Sequence, residues 1–88
     1  MSAGDMRRAA RYYREVAAIG RDQDGAHYRE LAAAAPVSVS YGPCPAHPAG
    51  WTAHPRRNLT AAAESAERAA AEFRAMADRI EARLAAGL

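Results

Sequence analysis

The chain has 88 residues and a formal net charge of +2, which is the size of one small domain, residues 1–88. Although 50% of the residues count as hydrophobic, 25 are alanine, and Leu, Ile, Val and Phe together number only ten. This length excludes a multidomain enzyme, and the lack of an apolar run of about 18 residues excludes a transmembrane helix. Because the net charge is small, the composition favours a helical protein built on alanine over a disordered one.

The N-terminal part predicts a helix over residues 3–19, which Ser2 or Asp5 can start. Its apolar residues recur at three-and-four spacing and form one stripe, consisting of Met6, Ala9, Ala10, Tyr13, Val16 and Ala17. Two glycines and two aspartates within residues 20–25 favour a turn, followed by a second helix over 24–35. A single bent helix through this segment is the alternative.

The middle of the chain predicts a Pro-rich connecting loop over residues 36–57. All five prolines lie between positions 36 and 55, and proline both removes a backbone donor and clashes with the preceding helical turn. Residues 37–41 alternate apolar and polar side chains, which is typical of a β-strand. Because one short strand is unstable alone, we expect it either to pair with another chain or simply to be extended.

The C-terminal part predicts a helix over residues 59–86, capped by Asn58 or Thr60 and ended by Gly87. Eight residues follow alternating steps of four and three, a heptad pattern that we call the alanine seam: Leu59, Ala63, Ala66, Ala70, Phe73, Ala77, Ile80 and Leu84. Alanine at four of these positions lets a second helix approach closely. The elements together predict an all-α fold, either a helical hairpin or a three-helix arrangement.

The alanine seam is also the candidate interface. A helix over 59–86 is about 42 Å long at 1.5 Å per residue, whereas the helix over 3–19 is shorter and covers only part of it. The uncovered apolar length would then be available to a partner. A chain of this size with so few large apolar residues has a thin core, and such chains usually need a disulfide, a metal or a partner.

The loop holds a group of candidate metal ligands, Cys44, His47 and His54. Cysteine and histidine are preferred zinc ligands and Cys-x2-His is a permitted spacing, but the set lacks a fourth ligand and a second close pair. We therefore expect no bound metal, with a small zinc-stabilised domain as an alternative. The same residues offer a thiol and a base, but a catalytic cysteine needs a rigid, water-excluding pocket, so we expect no enzyme.

Arginine supplies all 12 basic residues, and these provide candidate contacts for nucleic acid. Arg7, Arg11 and Arg14 share one helix face, and Arg56 and Arg57 form a second positive spot, as phosphate binding requires. No helix-turn-helix or other nucleic-acid motif accompanies them, and acidic residues nearly balance the N-terminal charge. We expect any such binding to be weak.

The sequence therefore predicts a small non-catalytic interaction or assembly protein that self-associates through its C-terminal helix. Its expected partner is a second copy or another helical protein, and neither a membrane nor a cofactor is expected. A nucleic-acid-binding accessory or regulatory protein is the alternative. The single cysteine favours a reducing compartment, and no apolar block follows the N-terminal arginines, so we expect a cytoplasmic protein without a secretory signal.

Overall fold

The computed structural model describes residues 2–87 and confirms the predicted all-α class in its hairpin form. The first arm, residues 3–34, is continuous; the second arm is α3 (Pro55–Ala85). The first arm consists of α1 (Ala3–Glu15), a π-helical segment (Val16–Asp22) and α2 (Gln23–Ala34), and the tip between the arms holds β1 (Val39–Tyr41) and β2 (Trp51–Ala53).

The hairpin is long and thin. It measures 64 × 25 × 15 Å with a radius of gyration of 20.0 Å, whereas a compact domain of this length has a radius of gyration of about 12 Å. A thickness of 15 Å corresponds to a single layer of helices. No helix within residues 2–87 is long and apolar enough to cross a membrane.

The first arm begins at a conventional N-cap. The Ser2 hydroxyl oxygen accepts a hydrogen bond from the Asp5 backbone N–H at 3.1 Å, and the Ser2 carbonyl accepts one from Met6 N at 3.0 Å. Asp5 also pairs with Arg8. The hydrogen bonds from Ser2 and Arg8 hold the pKa of the Asp5 carboxyl below its ordinary value.

The turn expected within residues 20–25 is wrong, because the first arm passes through this segment as π-helix and α-helix. Gly25 is buried against α3, where an added Cβ would lie 3.3 Å from Glu67 Cγ and 3.6 Å from the Ala63 carbonyl oxygen. Asp22, expected to favour a turn, instead pairs with Arg74 of α3. Contacts between the arms thus override the local preference of glycine and aspartate for turns.

The junction between the first arm and the tip is closed by hydrogen bonds. Ala35 leaves the helix in an extended conformation, as the residue before a proline should. The Arg56 guanidinium donates two hydrogen bonds to the Ala35 carbonyl, at 3.1 and 2.8 Å, and Arg56 N donates to the Pro36 carbonyl at 3.3 Å. The start of α3 is therefore tied to the end of α2.

The second arm starts earlier than its sequence suggested. It begins at Pro55, and neither Asn58 nor Thr60 caps it; the Thr60 hydroxyl donates to the Arg56 carbonyl at 2.8 Å within the helix. Proline suits the first helical turn because its fixed φ matches the helix and its missing N–H would have no partner there.

The tip forms a β-hairpin within the chain, so the expectation that the strand would need another chain or stay merely extended is wrong. β1 pairs antiparallel with β2, with Tyr41 opposite Trp51 and their rings stacked at 4.3 Å. Gly50 has a φ of +81°, and an added Cβ would lie 2.7 Å from the Tyr41 carbonyl oxygen. Only glycine therefore fits at this position.

The core between the two arms is built almost entirely from alanine. Within residues 2–87 the buried apolar residues are Met6, Ala10, Ala17, Ala32, Ala63, Ala66, Ala70 and Ala77, and no large side chain is fully buried. Alanine lets the helices approach closely but removes little apolar area from water. This confirms the thin core that the composition predicted.

Candidate self-association interface

The alanine seam lies against the first arm of its own chain. Its four alanines are buried, with Ala63, Ala70 and Ala77 at 0% exposure, whereas Leu59, Phe73, Ile80 and Leu84 remain half-buried. The expectation that part of the seam would stay uncovered is wrong, since the continuous first arm matches α3 in length. A partner can therefore reach only the larger side chains along the margin of the seam.

One face of the hairpin carries charged side chains that pair between the arms. We call it the ion-pair face; its residues are Arg14, Asp22, Arg29, Glu67, Arg74, Asp78 and Glu81. Arg14 donates to both oxygens of Glu81, at 2.9 and 2.6 Å, and to Asp78 at 2.7 Å. Arg29 forms a similar two-bond pair with Glu67, at 2.6 and 2.9 Å. Two parallel bonds fix the geometry of each pair.

These pairs shift the ionisation of their members. The hydrogen bond from Arg14 lowers the pKa of Glu81, and the hydrogen bond from Arg29 lowers the pKa of Glu67. In turn, Glu81 raises the pKa of Arg14, and Glu67 raises the pKa of Arg29. Because the groups are exposed, water and salt screen these interactions. Their main effect is to set the register of the two arms.

Large apolar side chains from both arms line two grooves that meet at Tyr12 and Tyr13, and we call this surface the aromatic face. It consists of Tyr12, Tyr13, Val16, Ile19, Phe73, Met76 and Ile80. The Tyr13 ring stacks on Phe73 across the arms, with centroids 6.0 Å apart, and on its other side meets Tyr12 at 5.9 Å. Tyr12, Val16 and Ile19 line one shallow groove. The two arms thus share one apolar surface.

The aromatic face is open to solvent. Tyr12 is 61% exposed and Ile19 is 63% exposed, although each is a large apolar side chain. Glu15 lines the groove beside them, and Arg79 and Arg83 border the groove of Tyr13 on α3. Within residues 2–87, these three charged side chains form no ion pair. The surface therefore combines uncovered apolar side chains with exposed charges of both signs.

The candidate nucleic-acid contacts fall into two groups that lie far apart. Arg7 and Arg11 lie beside Arg14 near the open end of the hairpin, but Arg14 is held by Asp78 and Glu81. Arg56 lies next to the tip, where its guanidinium is bound to a carbonyl, and Arg57 follows it in α3. The two positive spots are thus at opposite ends of the hairpin.

The three candidate metal ligands all lie at the tip. Cys44 and His47 pair through their backbones, with hydrogen bonds of 3.1 and 2.9 Å. The His47 ring lies 5.7 Å from Trp51, and His54 immediately precedes α3. In the part of the chain that the structure describes, no three Cys, His, Asp or Glu side chains form a group that could hold a metal. The Cys44 thiol is exposed.

Tyr12, Ile19, Glu15 and Arg79 were not among the interface residues that the sequence pattern predicted. That pattern defines one narrow apolar stripe on each helix, centred on the contact with the other arm. The available signal was the width of the apolar surface, since Phe73, Met76 and Ile80 extend beyond the alanines at helical spacing. Ile19 lies within the π-helical segment. The sequence patterns used α-helical spacing throughout, and the spacing of a π-helix is different.

No protein-family model, no curated protein and no solved structure matches this chain.

Proposed function

We propose that the protein is a non-catalytic helical assembly protein whose functional form contains a second copy of the chain. Domains usually bury their apolar faces between at least two layers of secondary structure. A hairpin 15 Å thick has one layer, and a second hairpin would provide the other. The product would be a four-helix bundle, an arrangement in which each hairpin covers the exposed face of its partner.

The aromatic face is the observation that carries this proposal. Single exposed apolar residues are common on protein surfaces, but a contiguous patch usually marks an interaction site. Here Tyr12 and Tyr13 continue through Phe73 to α3, so the patch spans both arms. Tyrosine and phenylalanine are enriched in the centres of protein interfaces because they bury large areas with little loss of conformational entropy.

A stable complex would use more than the aromatic face. A standard interface takes about 800 Å² from each partner, and the aromatic face covers only about eight residues of each arm, so neighbouring helix surface along the 64 Å hairpin would supply the rest. The alternative surfaces are less suitable. The ion-pair face is charged and already paired within the chain, and burying it would require desolvating those groups.

Static light scattering over a concentration series tests the proposal. We expect at least twice the 9.4 kDa chain mass at micromolar concentration. Ile19→Arg should reduce the mass to that of one chain, because it places an unpaired charge in a buried apolar contact. Ala18→Arg is the matched control, since Ala18 is exposed and lines no groove of the aromatic face; it should leave the mass unchanged. A folded wild-type monomer at every concentration would exclude the proposal.

A further inference from the structure

The tip of the hairpin differs in charge from the rest of the molecule. All 12 basic and 10 acidic residues of the chain lie in the two arms, and residues 36–54 contain no Arg, Lys, Asp or Glu. Charged residues make up 25% of the chain, and an ordinary protein surface carries a similar share or more. The tip is therefore an exposed but uncharged end on a charged rod.

The tip projects beyond the arms along the long axis of the hairpin. α3 has 31 residues and is about 46 Å long at 1.5 Å per residue, so the rest of the 64 Å length belongs to the tip. The two strands contact each other and make few contacts with the arms. Cys44 and His47 pair through their backbones, and Pro45 and Ala46 form the turn between them at the far end. A flat surface can therefore reach the tip without meeting the arms.

One side of the strand pair carries the aromatic residues of the tip. Tyr41 and Trp51 lie opposite each other with their rings stacked, and they are 48% and 41% exposed. The neighbouring pair on the other side, Ser40 and Thr52, is polar. Tyrosine and tryptophan combine an apolar ring with one polar atom, and for this reason they are enriched where a membrane meets water.

The first charged residues after the tip are both basic. Arg56 and Arg57 are exposed at the start of α3, and neither forms an ion pair among residues 2–87. The hydrogen bonds of Arg56 to the Ala35 carbonyl hold its guanidinium at the base of the tip. The carboxylates next to the tip in the sequence are Glu30 and Glu64, each at least one helical turn further along its arm. The base of the tip is therefore positive.

We infer that the tip docks reversibly on the surface of a lipid bilayer that contains anionic lipids. Tyr41 and Trp51 enter the interfacial region, and Arg56 and Arg57 lie at the level of the lipid phosphates. The sequence-based expectation of no membrane rested on the lack of a long apolar run, and contact with a bilayer surface does not require one. The inference is independent of the proposed self-association, because the tip is not part of the aromatic face.

The shape of the tip favours a bilayer over a protein partner. The hairpin is about 25 × 15 Å in section, which is small beside the about 800 Å² that a standard protein interface takes from each partner. Binding to a bilayer has no such threshold. Its strength grows with each apolar side chain that enters the interface and with each basic residue near the anionic headgroups.

Co-sedimentation of the full chain with vesicles of phosphatidylcholine, with or without phosphatidylserine, tests the inference. Binding should be at least about tenfold weaker without phosphatidylserine, because each arginine near an anionic surface contributes about fivefold. Ala46→Glu places a negative charge at the exposed end of the tip and should also weaken binding to the anionic vesicles at least about tenfold.

Ala71→Glu is the matched control. It makes the same change at an exposed position of α3, about 22 Å along the helix from Arg56 and beyond a Debye length. Its binding should stay within about twofold of wild type. Circular dichroism checks that both variants keep their helices.

Trp51 is the only tryptophan of the chain, so its fluorescence reports the tip alone. Its emission should shift to shorter wavelength on anionic vesicles, and brominated lipids should quench it. Absence of vesicle binding, binding without a change in Trp51 emission, equal binding to neutral vesicles, or equal losses for Ala46→Glu and Ala71→Glu would each overturn the inference. Light scattering without vesicles tests the proposed self-association separately, so the two failures are distinguishable.

Discussion

The two faces of the hairpin differ in whether their side chains find partners within the chain. On the ion-pair face, Arg14 and Arg29 each reach across to carboxylates of α3 and find their partners within the chain. On the aromatic face, Tyr12 and Ile19 remain uncovered and Glu15 has no ion pair within residues 2–87. One face is paired within a single chain, and the other leaves large apolar side chains exposed.

The alanine core explains why charged side chains pair across the arms on one face while large apolar side chains stay exposed on the other. Alanines at positions such as Ala63 and Ala70 bring the arms close enough for long charged side chains to bridge them. The same alanines bury little apolar area, whereas a fully buried large side chain contributes about 1.5–3 kcal/mol. Several large side chains lie on the aromatic face, and of these Tyr12 and Ile19 stay exposed, so part of the available hydrophobic stabilisation is unused in one chain.

The largest difference between the faces should appear when neighbouring residues of α3 are truncated. Phe73→Ala should lower the free energy of unfolding by about 3 kcal/mol, because it removes the ring that stacks on Tyr13 and joins the arms. Arg74→Ala removes one exposed ion pair, to Asp22, and should cost less than about 1 kcal/mol. Urea unfolding of both variants measures the two values, and equal losses would erase the distinction between the faces.

A second comparison is between a large side chain introduced where the two arms meet and the same side chain introduced at an exposed helix position. Gly25→Leu should destabilise the protein by about 2 kcal/mol, since the new side chain must fit where Glu67 and Ala63 already approach within 4 Å. Ala26→Leu adds a similar side chain at the next position, which is exposed, and should leave the melting temperature nearly unchanged. If thermal unfolding shows Gly25→Leu to be as stable as wild type, the arms do not meet closely at this point.

The smallest expected effect is on the pH dependence of stability, which comes from the carboxylates of the ion-pair face. Because the pKa values of Glu67 and Glu81 are lowered in the folded protein, their stabilisation is complete above the unfolded pKa. It is lost as the pH falls through the lowered folded values, from about pH 5 downward. The melting temperature should therefore fall less steeply in this range for Glu67→Gln than for wild type. Glu72→Gln, at an exposed position that forms no ion pair among residues 2–87, should follow the wild-type curve.

Sequence periodicity was sufficient to predict the all-α class, the helix of the second arm and the alanines at its contact. These follow from spacing alone, because a heptad pattern defines one face of a helix wherever that face is buried. Alanine-rich composition also predicted the thin core. The sequence did not indicate that the first arm would run alongside the whole of α3. The predicted interface therefore included four alanines that the first arm buries, together with Phe73 and Ile80, which belong to the aromatic face.

The remaining differences come from contacts between distant parts of the chain. Gly25 is favoured in a helix here because α3 passes within van der Waals distance of it, which no local pattern reveals. β2 has three residues and gains its stability from the stack of Tyr41 on Trp51. The aromatic face depends on which residues lie beside the seam after the π-helical segment, and this requires the three-dimensional path of the first arm.

Small-angle X-ray scattering of the wild-type protein tests the central claim most directly, since it reports mass and length together. Two hairpins joined side by side on their aromatic faces should have twice the 9.4 kDa mass of the chain. Their maximum dimension should stay close to the 64 Å of one hairpin, because the second copy adds thickness rather than length. A single-chain mass, or a doubled mass with a clearly longer particle, would contradict the account.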